Sequence, residues 1–342
     1  MRRIKFLVAA ALVAFVTTAE ASVGVTEIPG KNGDGVVTVY YPSSSGEQPV
    51  ERGPFTFHLA VQGTPVRGNG RLIVISHGSG GSPWVHADLA RTLVEDGFVV
   101  AMPLHRGDNY KDPSELGPKS WERRPIEVSD AIDVMGADPR FRPLLALDKV
   151  GMYGMSAGGH TALTLAGGRW SPARLRDHCN AHIAEDFQTC VGLTTRLTGG
   201  LLDGLKETIA LWVIRARLSD ATPRAHTDPR VVAIVAGVPL AADFEMASLA
   251  APPVPLGLVT ARQDQWLVPR FHSDAVLGAC AACERLADLA NGGHGALLSP
   301  LPPGLTGLIG DLMNDPPGFD RGVLPEVHHK ISGFFLKHLP PR

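Results

Sequence analysis

Gly154-Met155-Ser156-Ala157-Gly158 places a serine between two glycines, each two residues away. A serine hydroxyl attacks a carbonyl only when a base takes its proton and an acid orients that base, so the motif matters only if such partners can reach it. The glycines predict a turn too sharp for side chains at 154 and 158. The apolar run Val150 to Tyr153 precedes the motif and the helical stretch Thr161 to Leu165 follows it. Glycine-rich chains produce Gly-x-Ser-x-Gly by chance, as an idle serine in a turn. A strand before it and a helix after it give the pattern the context that projects a nucleophile. The helix start behind Ser156 also favours negative charge beside its oxygen.

Of the 13 histidines, His294 best fits the base. It follows the last candidate strand, in Gly292-Gly293-His294-Gly295, where small neighbours let an imidazole approach the elbow. His160 is upstream of any candidate acid and belongs on the helix after Ser156. His178 and His182 are spaced i, i+4 beside Cys179, a zinc-like spacing without a complete ligand set. Asp264 follows a strand ending near Thr260, and the carboxyl ends of parallel strands are where reactive loops gather. Asp243, after the preceding strand, is its competitor, and position favours Asp264. An oxyanion needs two N–H donors. Ala157 supplies one, and Ser79, in His77-Gly78-Ser79-Gly80-Gly81 after an early strand, is the expected second; a plain tight turn is the bland reading of that loop. This set predicts acyl transfer with no metal and no organic cofactor.

The elements that must hold these residues alternate. Val36 to Tyr41 and Phe55 to Val61 read as early strands joined by a Ser/Gly-rich turn. Leu72 to Ser76, Phe98 to Met102 and Val150 to Tyr153 are short apolar runs separated by helical stretches at Ala87 to Glu95 and Pro125 to Met135. Runs resume at Val231 to Val235, Leu256 to Thr260 and Arg285 to Leu289, and Val327 to Leu339 has helical spacing. Apolar runs alternating with amphipathic helices predict an α/β fold, a mostly parallel, doubly wound sheet. The rhythm pauses at about 169–230, which is expected to form a cap insertion over the strand ends.

Arg2, Arg3 and Lys5, the apolar Phe6 to Val16 and Ala19-Glu20-Ala21 predict a signal peptide over residues 1–21 and a periplasmic or secreted hydrolase domain over 22–342. Eleven apolar residues fall short of the roughly 20 that span a bilayer, so no stable membrane anchor is expected. The formal charge of −2, without a dense Lys/Arg run, gives no case for nucleic acid. In an oxidising compartment the four cysteines predict two disulfides. Cys179–Cys190 with Cys280–Cys283 is the simplest of three possible pairings. A thioredoxin-like role for Cys280-Ala281-Ala282-Cys283 is disfavoured, because such motifs open a helix after an early strand.

Taken together, Tyr41-Pro42, Ile75 to Gly81, Pro103 to Asn109, Arg124-Pro125, Tyr153 to His160, Ala261 to Pro269 and Gly293-His294-Gly295 resemble the predicted dienelactone hydrolase group of α/β-hydrolases, which is similar to platelet-activating factor acetylhydrolase. The resemblance implies the α/β-hydrolase fold, a Ser156–Asp264–His294 triad and an oxyanion hole from the N–H groups of Ser79 and Ala157. Two departures stand beside it. Dienelactone hydrolases use a cysteine nucleophile, and acetylhydrolase-like relatives carry their acid after the preceding strand, where Asp243 lies. His105 to Asn109 reads as a structural polar turn. The expected activity is cleavage of a small-molecule or lipid-like carboxylic ester. A peptidase or amidase on the same fold is the alternative, and a catalytically silent binding protein a more distant one.

Overall fold

The computed structural model describes residues 22–342; the expected signal peptide lies outside them. The chain opens with β1 (Ser22–Ile28), β2 (Val37–Ser43), β3 (Gln48–Arg52) and β4 (Phe55–Val61). It then alternates through β5 (Leu72–Ser76), α1 (Ala87–Glu95), β6 (Val99–Pro103), α2 (Pro118–Ala137), β7 (Val150–Met155) and α3 (Ala157–Leu165). Three helices follow: α4 (Pro172–His182), α5 (Phe187–Val191) and α6 (Asp203–Arg217). Alternation resumes with β8 (Val231–Gly237), β9 (Leu256–Ala261), α7 (Ser273–Ala279) and β10 (Glu284–Leu289), and α8 (Gly307–Met313) and α9 (Leu324–His338) close the chain.

Ten strands form one sheet in the order β10-β9-β8-β7-β5-β6-β2-β1-β4-β3. From β10 to β6 every pairing is parallel, with Leu72 opposite Val150 and Ser76 opposite Gly154 at the centre. The β6–β2, β2–β1 and β3–β4 pairings are antiparallel. Period-2 alternation divides β5 between two cores. Leu72 and Val74 pack with α2 and α3, whereas Ile73 and Ile75 pack with α1 and α9. Both faces are covered, so the central strands read as unbroken apolar runs. Each fully buried Leu or Ile there stabilises the fold by about 1.5–3 kcal/mol.

The chain leaves β5 for β6 on one side and returns to β7 on the other. Loops after β5 and β7 therefore diverge and leave a crevice at the carboxyl ends of these strands, where open α/β sheets take ligands.

Several elements differ from the sequence expectation, α7 and α8 among them, which it did not include. The turn expected between the early strands contains β3, which is polar and mostly exposed and so carries no apolar pattern. β1 was not anticipated; it pairs antiparallel with β2. α2 begins at Pro118, not Pro125, and Pro125 lies inside it. Proline there removes one backbone donor, but Trp121, Val128, Ala131, Ile132 and Met135 bury one face around it and carry the helix through.

The stretch expected as a cap holds α4, α5 and α6 and contributes no strand to the sheet. Its Cys179–Cys190 disulfide joins α4 to α5, and Cys280–Cys283 closes the turn before β10. Asp186, between α4 and α5, accepts from the Val268 N–H (3.2 Å) and meets His178 Nε2 (2.8 Å) and His272 Nε2 (3.1 Å). Thr189 donates to the Trp266 carbonyl at 2.9 Å. The insertion is thus fastened to the loop after β9. α6 by contrast leaves Leu205, Ile209 and Trp212 more than half exposed. No described helix is long and apolar enough to cross a membrane.

Candidate active site

Ser156 ends β7 and begins α3 with φ 59° and ψ −118°, a backbone region that costs a non-glycine residue about 1–3 kcal/mol. The neighbours hold it there. Its N–H donates to the Gly237 carbonyl (3.1 Å), and its carbonyl accepts from His160 (3.0 Å) and Leu240 (3.2 Å). A Cβ at Gly154 would lie 1.9 Å from the Gly158 carbonyl oxygen, and one at Gly158 would lie 1.9 Å from that of Ser76. The two glycines are therefore steric requirements of this turn.

His294 opens a single 3-10 turn, His294–Leu297, after β10. Its Nε2 lies 2.9 Å from Ser156 Oγ and its Nδ1 lies 2.8 Å from Asp264 Oδ2. The other carboxylate oxygen, Oδ1, accepts from the N–H groups of Trp266 (2.8 Å) and Leu267 (2.9 Å). A carboxylate on Nδ1 assigns the tautomer: Nδ1–H donates to Asp264, and Nε2 is left to accept the serine proton. Serine, histidine and aspartate come from loops after β7, β10 and β9, distant in sequence and joined at one end of the sheet.

Asp243 does not join this line. It lies 3.1 Å from His160 Nε2, with both side chains fully buried. The His160 ring stands among Trp121, Trp170 and Phe244 at centroid distances of 5.2, 4.8 and 4.7 Å. His178 meets Asp186, and His182 meets Glu185 at 3.1 Å.

The loop after β5 lies against the serine. A Cβ at Gly78 would come within 3.5 Å of Ser156 Cβ and 3.9 Å of Ser156 Oγ. The Ala157 N–H belongs to the first turn of α3, where no intrahelical acceptor exists. Among the described residues, no backbone carbonyl accepts from the Ser79 N–H.

Behind that loop is a buried polar cluster that the sequence reading did not assemble. Arg124 and Asp108 pair at 2.9 Å, both side chains fully buried. Burial alone would raise the Asp108 carboxyl. The Arg124 charge and hydrogen bonds from Ser120, Ser79 and Gly80 outweigh it and hold the group below its ordinary value. Beside it, His105 joins Ser76 Oγ (2.7 Å) to Glu127. Burial pushes Glu127 up to about 7 and pushes His105 and His77 well below the usual histidine range. The polar turn His105 to Asn109 is therefore part of an interior network. One signal for it was present in the sequence. Arg124 falls at helical spacing between Trp121 and Val128, a charge within an apolar stripe.

A scan against protein-family models finds no match for this chain, and a search of curated proteins finds no relative.

Proposed function

We propose that this chain is an exported serine hydrolase of the α/β-hydrolase type, cleaving carboxylic esters through an acyl-enzyme. The observation that carries the reading is the unbroken line Ser156 Oγ–His294 Nε2 (2.9 Å), His294 Nδ1–Asp264 Oδ2 (2.8 Å), at the open end of the parallel strands. The strained backbone of Ser156 and its place at a helix start support the same reading, because both serve a nucleophile and neither improves a binding surface. The two disulfides fit an oxidising compartment.

In this mechanism Ser156 Oγ bonds to the ester carbonyl carbon as its proton passes to His294 Nε2. The carbonyl oxygen takes the negative charge and is stabilised by the N–H groups of Ala157 and Ser79. Collapse breaks the bond to the alkoxy oxygen, which leaves as alcohol with the proton from His294. Water then repeats the sequence on the acyl-enzyme, releasing the carboxylic acid and restoring Ser156. Asp264 keeps Nδ1–H oriented and stabilises the imidazolium in each half-reaction.

The test is a rate profile of purified protein on aryl esters of graded acyl length beside an anilide of the same acyl group. Faster turnover of an ester, abolished in Ser156→Ala, is the expected result. Preference for the anilide would move the activity to amide bonds, and no turnover of either would remove the hydrolase reading.

A further inference from the structure

We propose that Arg124 and Asp108 are positioning residues that set the peptide between Gly78 and Ser79, so that the Ser79 N–H, in place of that of Gly80, is presented to the oxyanion. This rests on the esterase reading and names what maintains its second oxyanion donor.

The argument is one of peptide planes. In a trans peptide the carbonyl of one residue and the N–H of the next point to opposite sides. The Gly78 carbonyl is held by three donors: His77 Nδ1 at 2.7 Å, the Gly81 N–H at 3.1 Å and Arg124 Nη2 at 3.3 Å. With that oxygen drawn toward the interior, the Ser79 N–H must face away from Arg124. Arg124 also donates to the carbonyls of His77 and Asp108, so one guanidinium joins the loop after β5 to the loop after β6. Its rigid planar fork suits this; a lysine ammonium cannot reach several carbonyls in fixed directions.

Asp108 makes the complementary selection. Its Oδ1 accepts from the Gly80 N–H (2.8 Å) and from Ser79 Oγ (2.7 Å). Gly80, the next amide along, is thereby occupied, and the Ser79 side chain is held back from the crevice while its N–H stays uncommitted. The other oxygen, Oδ2, accepts from Ser120 Oγ (2.7 Å) and from Arg124 Nε (3.2 Å). His77 is fixed as well: with Nδ1–H donating to Gly78, its Nε2 accepts from the His105 N–H at 3.3 Å. A buried ion pair contributes little net stability by itself. Its value here lies in the direction it imposes on two peptide planes.

The experiment compares Asp108→Asn and Ser120→Ala with wild type. Ser120→Ala removes two hydrogen bonds, one donated to Asp108 Oδ2 and one accepted from Arg124 Nε, and leaves the charge pair intact, so it serves if Asp108→Asn does not fold. Two readouts are taken on folded protein: kcat and KM on the best ester, and the inhibition constant of a trifluoromethyl ketone, whose hemiketal oxyanion needs the same donors. The expected result is a fall in kcat of roughly 10²–10³-fold for Asp108→Asn, as for loss of one oxyanion donor. Ser120→Ala should lose about 3–10-fold by the same mechanism. KM should stay within about threefold, because the donor acts on developing charge. Ketone affinity should weaken in proportion to kcat/KM. A crystal structure of the folded variant should show the Gly78–Ser79 peptide turned. Folded variants with lowered melting temperature but unchanged kcat and ketone affinity would overturn the proposal. A turned peptide with unchanged kcat would overturn it too. If wild type neither turns over esters nor binds the ketone, the esterase reading has failed, and a Gly78–Ser79 peptide unmoved in Asp108→Asn would separately reject the positioning claim.

Discussion

Two serine–histidine–carboxylate lines run through this molecule. Ser156–His294–Asp264 lies at the crevice, and Ser76–His105–Glu127 is sealed beneath the loop after β5. Their serine–histidine distances are nearly the same, 2.9 and 2.7 Å. Ser76, however, ends a regular strand, is fully buried and faces no space for a substrate. Ser156 is partly exposed, strained, and set on a helix start. Burial disfavours charge on both Glu127 and His105, raising the carboxyl and lowering the imidazole. Hydrogen-bond geometry is common to both lines; access, backbone strain and nearby uncommitted donors separate the open line, proposed as the triad, from the sealed one.

The largest expected effect tests the open line. Ser156→Ala should lower ester hydrolysis by roughly 10⁴- to 10⁶-fold with the fold intact by circular dichroism. Near-wild-type rates in that variant would end the comparison. Next come the two acids. Asp264→Asn should cost about 10⁴-fold in kcat, because the histidine loses its tautomer and its counter-charge. Asp243→Asn, whose carboxylate pairs with His160 and not with His294, should retain a tenth or so of activity at least. Steady-state rates of the two folded proteins decide this, and the reverse ranking would move the acid to Asp243.

Breaking the sealed line should read out as stability. Ser76→Ala leaves the buried His105 Nε2 without its partner, so unfolding free energy should fall by about 1–3 kcal/mol. Turnover of the folded variant should stay within a few-fold of wild type. Chemical denaturation beside kinetics measures both, and a thousand-fold rate loss at unchanged stability would assign Ser76 a chemical role.

The smallest effect is in pH dependence. His86 and His328 are each held down to about 4, chiefly by burial, and for His86 also by the neighbouring His328. Unfolding returns them to about 6.5, so on acidification the unfolded chain takes up protons first. Stability is therefore lost as pH falls from about 6.5 to about 4 and levels off below. A full shift of this size corresponds to on the order of 3 kcal/mol for His86. Glu127, raised by burial to about 7, acts in the opposite sense between its ordinary 4.5 and 7 and offsets one histidine. Melting temperatures from pH 7.5 to 4 should fall, and less steeply in His86→Phe. Identical slopes would exclude His86 as a contributor.

The sequence disclosed the open line and almost nothing of the sealed one, for a physical reason. Ser156, His294 and Asp264 lie in glycine-rich or polar loops after apolar strands, and steric demands there leave a pattern. The central strands and α1 were legible at or within a residue or two of their bounds because both faces of each strand are buried. β3 was not, since an exposed edge needs no periodicity. Ser76 is the polar end of the apolar run from Leu72, and Glu127 is one of several charges in the helical stretch Pro125 to Met135. Only the packing of α2 against the loop after β6 brings them together. Asp264 and Asp243 could be ranked by position, but the partner of Asp243, His160, depends on a turn of helix seated among three aromatic rings. The simplest cysteine pairing is the one observed, and loops as short as these leave little room for others.

The tie between Asp186, Thr189 and the Trp266–Val268 backbone makes the insertion a poor module. In many enzymes a covering segment can be traded between homologues to change selectivity while the chemistry is left alone. Here the segment that would shape the substrate's route also braces the strand-end loop from which Asp264 projects, two and four residues from its points of attachment. On the proposed hydrolase reading, grafting a foreign segment in place of residues 169–230 should change turnover together with selectivity, and directed evolution of the two would proceed as one problem.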